Sequence, residues 1–207
     1  MLKKYNSLIM EIEYCVSELK QYPIDVSPLK YASTQENLGD LYYECANIEQ
    51  NAENYRNAAA SYGEALKVFT SQRKTVEIAE VQFKLGVLFA KFAENNIGSR
   101  IENFDKSVRA FEEALSVYNA DEYREKRIKT QSRIGLVYQE IARMQSRTEN
   151  YGKAIKLFGQ ILDKYDLADS PRMHCYALVD VDPSALKVSV YKHDGELYDT
   201  VTLDGKR

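Results

Sequence analysis

One short segment occurs three times in this chain. Leu38-Gly39-Asp40-Leu41-Tyr42 recurs as Leu85-Gly86-Val87-Leu88-Phe89 and again as Ile134-Gly135-Leu136-Val137-Tyr138, at separations of 47 and 49 residues. A second signature follows each copy: Glu53-Asn54-Tyr55, Glu102-Asn103-Phe104 and Glu149-Asn150-Tyr151. Self-similarity at such a period marks stacked supersecondary units, each burying its apolar face against the next. An array of this kind presents an extended surface rather than one catalytic pocket.

Each unit reads as two amphipathic helices. In the first copy Ala32, Leu38, Gly39, Tyr42 and Cys45 fall on one helical face, and Tyr55, Ala58, Tyr62, Ala65, Leu66 and Phe69 fall on one face of a second helix. The second helix repeats as Phe104, Val108, Phe111, Ala114, Leu115 and Tyr118, then as Tyr151, Ala154, Ile155, Phe158, Ile161, Leu162 and Tyr165. Glycine inside a helix costs about 1 kcal/mol against alanine, so Gly39, Gly86 and Gly135 need a reason. Close helix approach supplies one, with the glycines facing the small residues Ala58, Ser107 and Ala154. The aromatics Tyr62, Phe111 and Phe158 are expected to fill the space between neighbouring helices. Asn54, Asn103 and Asn150 are expected to cap the second helices, because an Asn side chain accepts from free N–H groups at a helix start.

The text Leu38-Gly39-x-x-Tyr42, then Tyr55-x-x-Ala58-x-x-x-Tyr62-x-x-Ala65-Leu66, resembles the tetratricopeptide repeat. So does Phe104-x-x-Ser107-x-x-x-Phe111-x-x-Ala114-Leu115. The third copy, with Tyr151, Ala154 and Phe158, is a looser match. The likeness covers about residues 30–166. It implies a mainly all-α fold, a right-handed superhelical array of antiparallel helix pairs (an α-solenoid). That family repeats every 34 residues, against 47 to 49 here. Roughly 7 to 9 of the extra residues fall in the hairpin, close to two turns of helix, so the first helices are expected to run on through 45–52, 90–97 and 140–147.

Domain organisation follows from the register. Residues 1–170 form the repeat domain, with repeats at about 30–70, 77–119 and 125–166. Shifted by one period, Cys15, Leu19 and Tyr22 lie over Tyr62, Leu66 and Phe69, so 3–22 reads as half a repeat. It is either an N-terminal cap or part of a longer array. After Tyr165 the pattern stops. Residues 171–207 hold three β-branched, partly alternating runs separated by Asp182-Pro183-Ser184 and His193-Asp194-Gly195, which predict a small antiparallel β meander. These runs resemble the closing strands of metallophosphoesterases.

Composition narrows the function. The 207 residues are 44% hydrophobic and 29% charged, with a net charge of −3. That balance suits a folded core and lacks the basic excess of a nucleic-acid or anionic-membrane binder. Cys15, Cys45 and Cys175 are few and scattered, so no disulfide framework is expected and a reducing, cytoplasmic setting is. Lys3, Lys4, Glu11 and Glu13 break any leader-like apolar run, and no segment reaches the roughly 20 apolar residues of a membrane span. His174 and His193 lack a companion ligand at metal spacing, and there is no nucleophile-elbow or phosphate-cradling glycine text. No metal, cofactor or catalytic residue is expected.

A binding role remains. In the resembled family the first helices line a concave groove that takes a peptide or partner helix. Carried onto this chain, the groove residues are Glu36, Asp40 and Tyr43, then Phe83 and Val87, then Lys129, Ser132, Arg133 and Leu136. Lys84 is expected at the groove edge. Glu36 and Asp40 would repel the carboxylates of a chaperone C-terminal tail, so no such tail is expected to bind. An acidic end, an apolar centre and a weakly basic end would suit a helix with an apolar stripe and a basic terminus. Phe83→Asp is expected to abolish binding without unfolding the array. The function expected is a non-catalytic interaction module, scaffolding or regulatory. The alternatives are an accessory or remnant arm of a larger enzyme, and a homo-oligomer joined through the edges of the C-terminal strands.

Overall fold

The computed structural model describes residues 2–49, 51–145, 150, 152–154, 156, 157, 160, 175–182, 185–192 and 197–204. Its helices are α1 (Leu2–Gln21), α2 (Pro28–Glu49), α3 (Ala52–Ser71), α4 (Thr75–Glu94), α5 (Arg100–Val117) and α6 (Arg124–Gln145), with a 3-10 turn at Asp121–Tyr123 before α6. The chain divides into two compact units, Met1–Thr130 and Gln131–Arg207.

The first unit is a helical repeat. Contact is most extensive between α2 and α3 and between α4 and α5; the α1–α2 and α3–α4 contacts come next. The long period resides in the helices themselves, since α2 spans 22 residues and α4 spans 20. Both first helices run on past their Leu-Gly segments, to Glu49 and Glu94.

The core is built where the spacing places apolar residues. Ala32, Tyr55, Ala58, Tyr62, Ala65, Phe69, Val81, Leu85 and Leu88 form one buried cluster across α2, α3 and α4. Leu8, Ile12 and Cys15 of α1 pack against Leu38 and Cys45 of α2. Both Cys15 and Cys45 are free thiols, and burial raises the pKa of each, so neither is a ready nucleophile.

Gly39 and Gly86 of the repeated segment are close-approach residues, and the interhelical aromatic ring is the tightest neighbour of each. A Cβ on Gly39 would lie 2.5 Å from Cδ1 of Tyr62, and one on Gly86 would lie 2.6 Å from Cδ1 of Phe111. The aromatic ring itself lies on the glycine. At the second site the expected small partner is in contact as well, the Ser107 hydroxyl donating to the Gly86 carbonyl at 2.7 Å.

The N-caps also differ. Asn51 caps α3, its Oδ1 accepting from Glu53 N–H at 2.8 Å, and Ser99 caps α5, its Oγ accepting from Glu102 N–H at 3.4 Å. Asn54 and Asn103 lie one turn inside. Asn54 donates to Glu49 at 3.3 Å, and buried Asn103 donates to the Ile97 carbonyl at 2.6 Å. Both helices therefore start earlier than the signature suggests. Helices α3 and α4 each end in a Schellman arrangement with a left-handed residue: Arg73 after α3 (φ 54°) and Asn96 after α4 (φ 55°). Lys74 N–H reaches back to Phe69 O at 2.9 Å, and Ile97 N–H to Phe92 O at 2.8 Å.

In the second unit α6 continues to Gln145, with Ile134, Val137, Ile141 and Ala142 buried. Residues 150, 152–154, 156, 157 and 160 are helical, with Asn150 and Ala154 buried. Tyr151, Ile155, Phe158, Ile161, Leu162 and Tyr165 of the third copy lie outside the described residues, as do His174 and His193. Strands β1 (Cys175–Asp182), β2 (Ala185–Lys192) and β3 (Leu197–Asp204) pair antiparallel in the order β1-β2-β3. Val179 is opposite Val188, which is opposite Val201, and a register irregularity falls between Val190 and Tyr191.

Candidate partner-binding groove

Successive first helices of the first unit place charged and aromatic residues on one shared face. Glu36 and Asp40 come from α2, Glu80, Phe83 and Lys84 from α4, and Lys126, Lys129 and Thr130 from the start of α6. With Tyr118 from the end of α5, all but Asp40 line a cavity of about 250 Å³. Cavities that take a side chain or a small ligand are commonly apolar with a few placed polar groups. Phe83 and Tyr118 supply the apolar wall here.

The charges are arranged in a repeating way. The Lys84 ammonium donates to Glu36 Oε1 at 2.7 Å and to Asp40 Oδ2 at 2.6 Å. One repeat later Lys126 donates to Glu80. Each lysine thus reaches back about one period to the preceding first helix. The second oxygen of Asp40 accepts from the Tyr62 hydroxyl at 2.6 Å. Burial, together with the adjacent Asp40 carboxylate, pushes the Tyr62 phenol far above its ordinary pKa. Burial lowers the Lys84 pKa, but the hydrogen bonds and charges of Asp40 and Glu36 outweigh it and hold the ammonium above the usual lysine value. The Tyr118 phenol is pushed up to about 12, by burial first and then by the charge of Glu80.

Lys129 differs from the other two lysines. Its ammonium lies 5.0 Å over the Phe83 ring, and among the described residues it makes no ion pair. Lys129 is exposed, so its ammonium is open to an incoming anion.

The expected groove residues separate into three groups. Glu36, Phe83 and Lys129 line the cavity, and Asp40 is bonded beside it. Tyr43 packs edge-on against Tyr55 at 6.0 Å and Val87 is half-buried; neither lines the cavity. Ser132, Arg133 and Leu136 belong to the second unit, where Arg133 and Leu136 are exposed and Ser132 is half-buried. Phe83 also has a structural role, with its ring 5.5 Å from that of Phe111 and its side chain against Ala79, Ala114 and Tyr118. Phe83→Asp would put a charge into that packing and disturb folding as well as binding.

Two features escaped the sequence. Lys84 bridges Glu36 and Asp40 and cancels one of their two negative charges, which weakens the simple repulsion argument against carboxylate-bearing tails. Tyr118, Lys126 and Thr130 complete the wall. The separation of Lys126 from Glu80, close to one period, was the available signal for a cross-repeat ion pair.

No group of three or more His, Cys, Asp or Glu residues among the described residues is placed to hold a metal ion. No helix among them is long and apolar enough to cross a membrane.

A family model described as "SNAP: Soluble NSF attachment protein" matches residues 27–169. No curated protein matches the chain. Two solved structures are similar. BtubC (BKLC) from P. vanneervenii shares 21% identity at a TM-score of 0.44, over 74% of this chain and 55% of that one. A de novo designed helical repeat protein shares 14% identity at a TM-score of 0.43, over 78% of this chain and 93% of that one. The chain spans about half the length of BtubC.

Proposed function

This chain belongs to the soluble NSF attachment protein family, and on that premise we propose that it is a non-catalytic adaptor that holds a helical segment of a protein partner. The groove between α2, α4 and the start of α6 is the binding surface, and NSF, which the family is named for attaching, is the first partner to test. The observation that carries this reading is the cavity walled by Phe83 and Tyr118 with Lys129 at its rim. An apolar anchor side chain fits the wall, and a carboxylate beside it meets Lys129. The partner charge we favour is therefore acidic rather than basic, because Glu36, Asp40 and Glu80 are each bonded to a lysine.

The test immobilises the full chain and measures binding of purified NSF, alone and with the proteins that co-purify with it. Lys129→Glu is the control, since Lys129 is exposed and its loss leaves the core packing in place. Binding to the wild type that drops about tenfold or more in Lys129→Glu supports the groove. Equal binding to both proteins refutes it.

We propose further that the repeat domain extends to about residue 170 as a superhelical array of the tetratricopeptide kind, and that 171–207 is an appended meander. A second reading rests on the strand order β1-β2-β3, in which β1 and β3 each have one strand neighbour among the described residues. Open edges of this sort can pair with a second copy. Light scattering on the full chain and on a chain lacking 171–207 tests it; a monomer in both cases removes the idea.

A further inference from the structure

We infer that Lys84 determines which charge the groove accepts. This inference rests on the groove reading above and deepens it. Three observations meet at this side chain. Glu36 and Asp40 both lie on the groove side of α2, and without a counter-charge they would make that end of the groove anionic. Lys84 bonds both carboxylates at once, at 2.7 and 2.6 Å, from the neighbouring repeat. Its ammonium also lies 5.9 Å over the Tyr62 ring, and the hydroxyl of that same ring fixes the other oxygen of Asp40. The lysine is thus held in place from two sides.

The consequence is a specificity set by masking. With Lys84 in position, both carboxylates of α2 are engaged, and Lys129 is the cation left to greet a ligand at the cavity. The wild-type groove then prefers a helix that carries a carboxylate next to its apolar anchor. Without the Lys84 charge, Glu36 and Asp40 are released into the groove, and the preference moves toward a helix with an ammonium at that position.

The probes are two synthetic helical peptides that share one apolar stripe with a central Phe. They differ only in bearing Glu or Lys beside that Phe. Binding to the full chain is read by fluorescence anisotropy at low salt, where exposed charges are least screened. For the wild type the Glu peptide is expected to bind the tighter. In Lys84→Met, which keeps an apolar stem over Tyr62, the Glu-to-Lys affinity ratio is expected to fall about tenfold or more. Where that variant does not hold its far-UV circular dichroism, Glu36→Gln combined with Asp40→Asn is the second test. It frees Lys84 and should raise the same ratio. An unchanged ratio in the folded variant, with both peptides still bound, overturns the role of Lys84 and leaves the groove standing. Failure of the wild type to bind either peptide overturns the groove and this inference with it.

Discussion

A methyl group placed on Gly39 would come within 2.5 Å of the Tyr62 ring, closer than carbon atoms tolerate. Tyr62 cannot move aside easily, because it is 2% exposed and its hydroxyl is bonded to Asp40. Gly39→Ala should therefore destabilise the protein by roughly 1–3 kcal/mol through overpacking, despite a helix-propensity gain of up to about 1 kcal/mol. At Gly63, on the second helix of the same pair, an added methyl group would meet nothing within 4 Å. Gly63→Ala should accordingly stabilise by up to about 1 kcal/mol. Urea unfolding of the two variants gives shifts of opposite sign; shifts of the same sign would show that close packing does not explain the repeated glycine.

The helix ends give a second pair of opposed outcomes. Asn51→Ala removes the α3 cap and should cost about 0.5–2 kcal/mol, whereas Asn54→Ala breaks one exposed side-chain bond and should cost less. Arg73 occupies a left-handed position at the end of α3, where glycine is the favoured residue, so Arg73→Gly should add roughly 0.5–1 kcal/mol. Thermal melts of the three variants rank them, with Arg73→Gly highest and Asn51→Ala lowest. Asn54→Ala falling below Asn51→Ala would return the cap to the inner asparagine.

Alkaline pH should weaken the fold in a defined window. Unfolded Tyr118 loses its proton near 10.0, while the folded phenol keeps it to about 12. Between these values the unfolded chain binds fewer protons, so stability falls as pH rises. Lys84 acts in the same direction, because its folded pKa is raised: its contribution is complete below 10.5 and is lost above the folded value. Tyr118→Phe should recover up to about 2–3 kcal/mol of the alkaline loss and leave in place the shares of Lys84 and of Tyr62, whose folded phenol pKa is also raised. Urea unfolding at about pH 9 and about pH 12 measures it; an identical loss in wild type and variant would exclude Tyr118 as a source.

Periodicity carried the helices because a buried face recurs every turn whatever its neighbours are. Leu38, Tyr55, Tyr62 and Phe111 are buried where that spacing put them. The helix starts were less legible. Asn54 and Asn103 recur in register, yet the capping residues are Asn51 and Ser99, which share no signature. The helix ends were hidden because Arg73 and Asn96 take the left-handed conformation that glycine would have advertised. Within the site, Glu36, Phe83 and Lys129 could be placed from the first-helix face. The bridging of Glu36 and Asp40 by Lys84 could not, since it depends on which residue of the next repeat comes near in space.

Asp40 divides its two oxygens between Tyr62 of α3 and Lys84 of α4. A repeat array whose neighbours are only weakly coupled can unzip from one end, unit by unit. Here one carboxylate joins both helices of its own repeat to the first helix of the next. Loosening either repeat therefore breaks bonds in the other, and the two should melt in a single cooperative step. Asp40→Asn keeps an acceptor for Tyr62 while weakening the tie to Lys84. It is the substitution that would let the two repeats part company and reveal an intermediate.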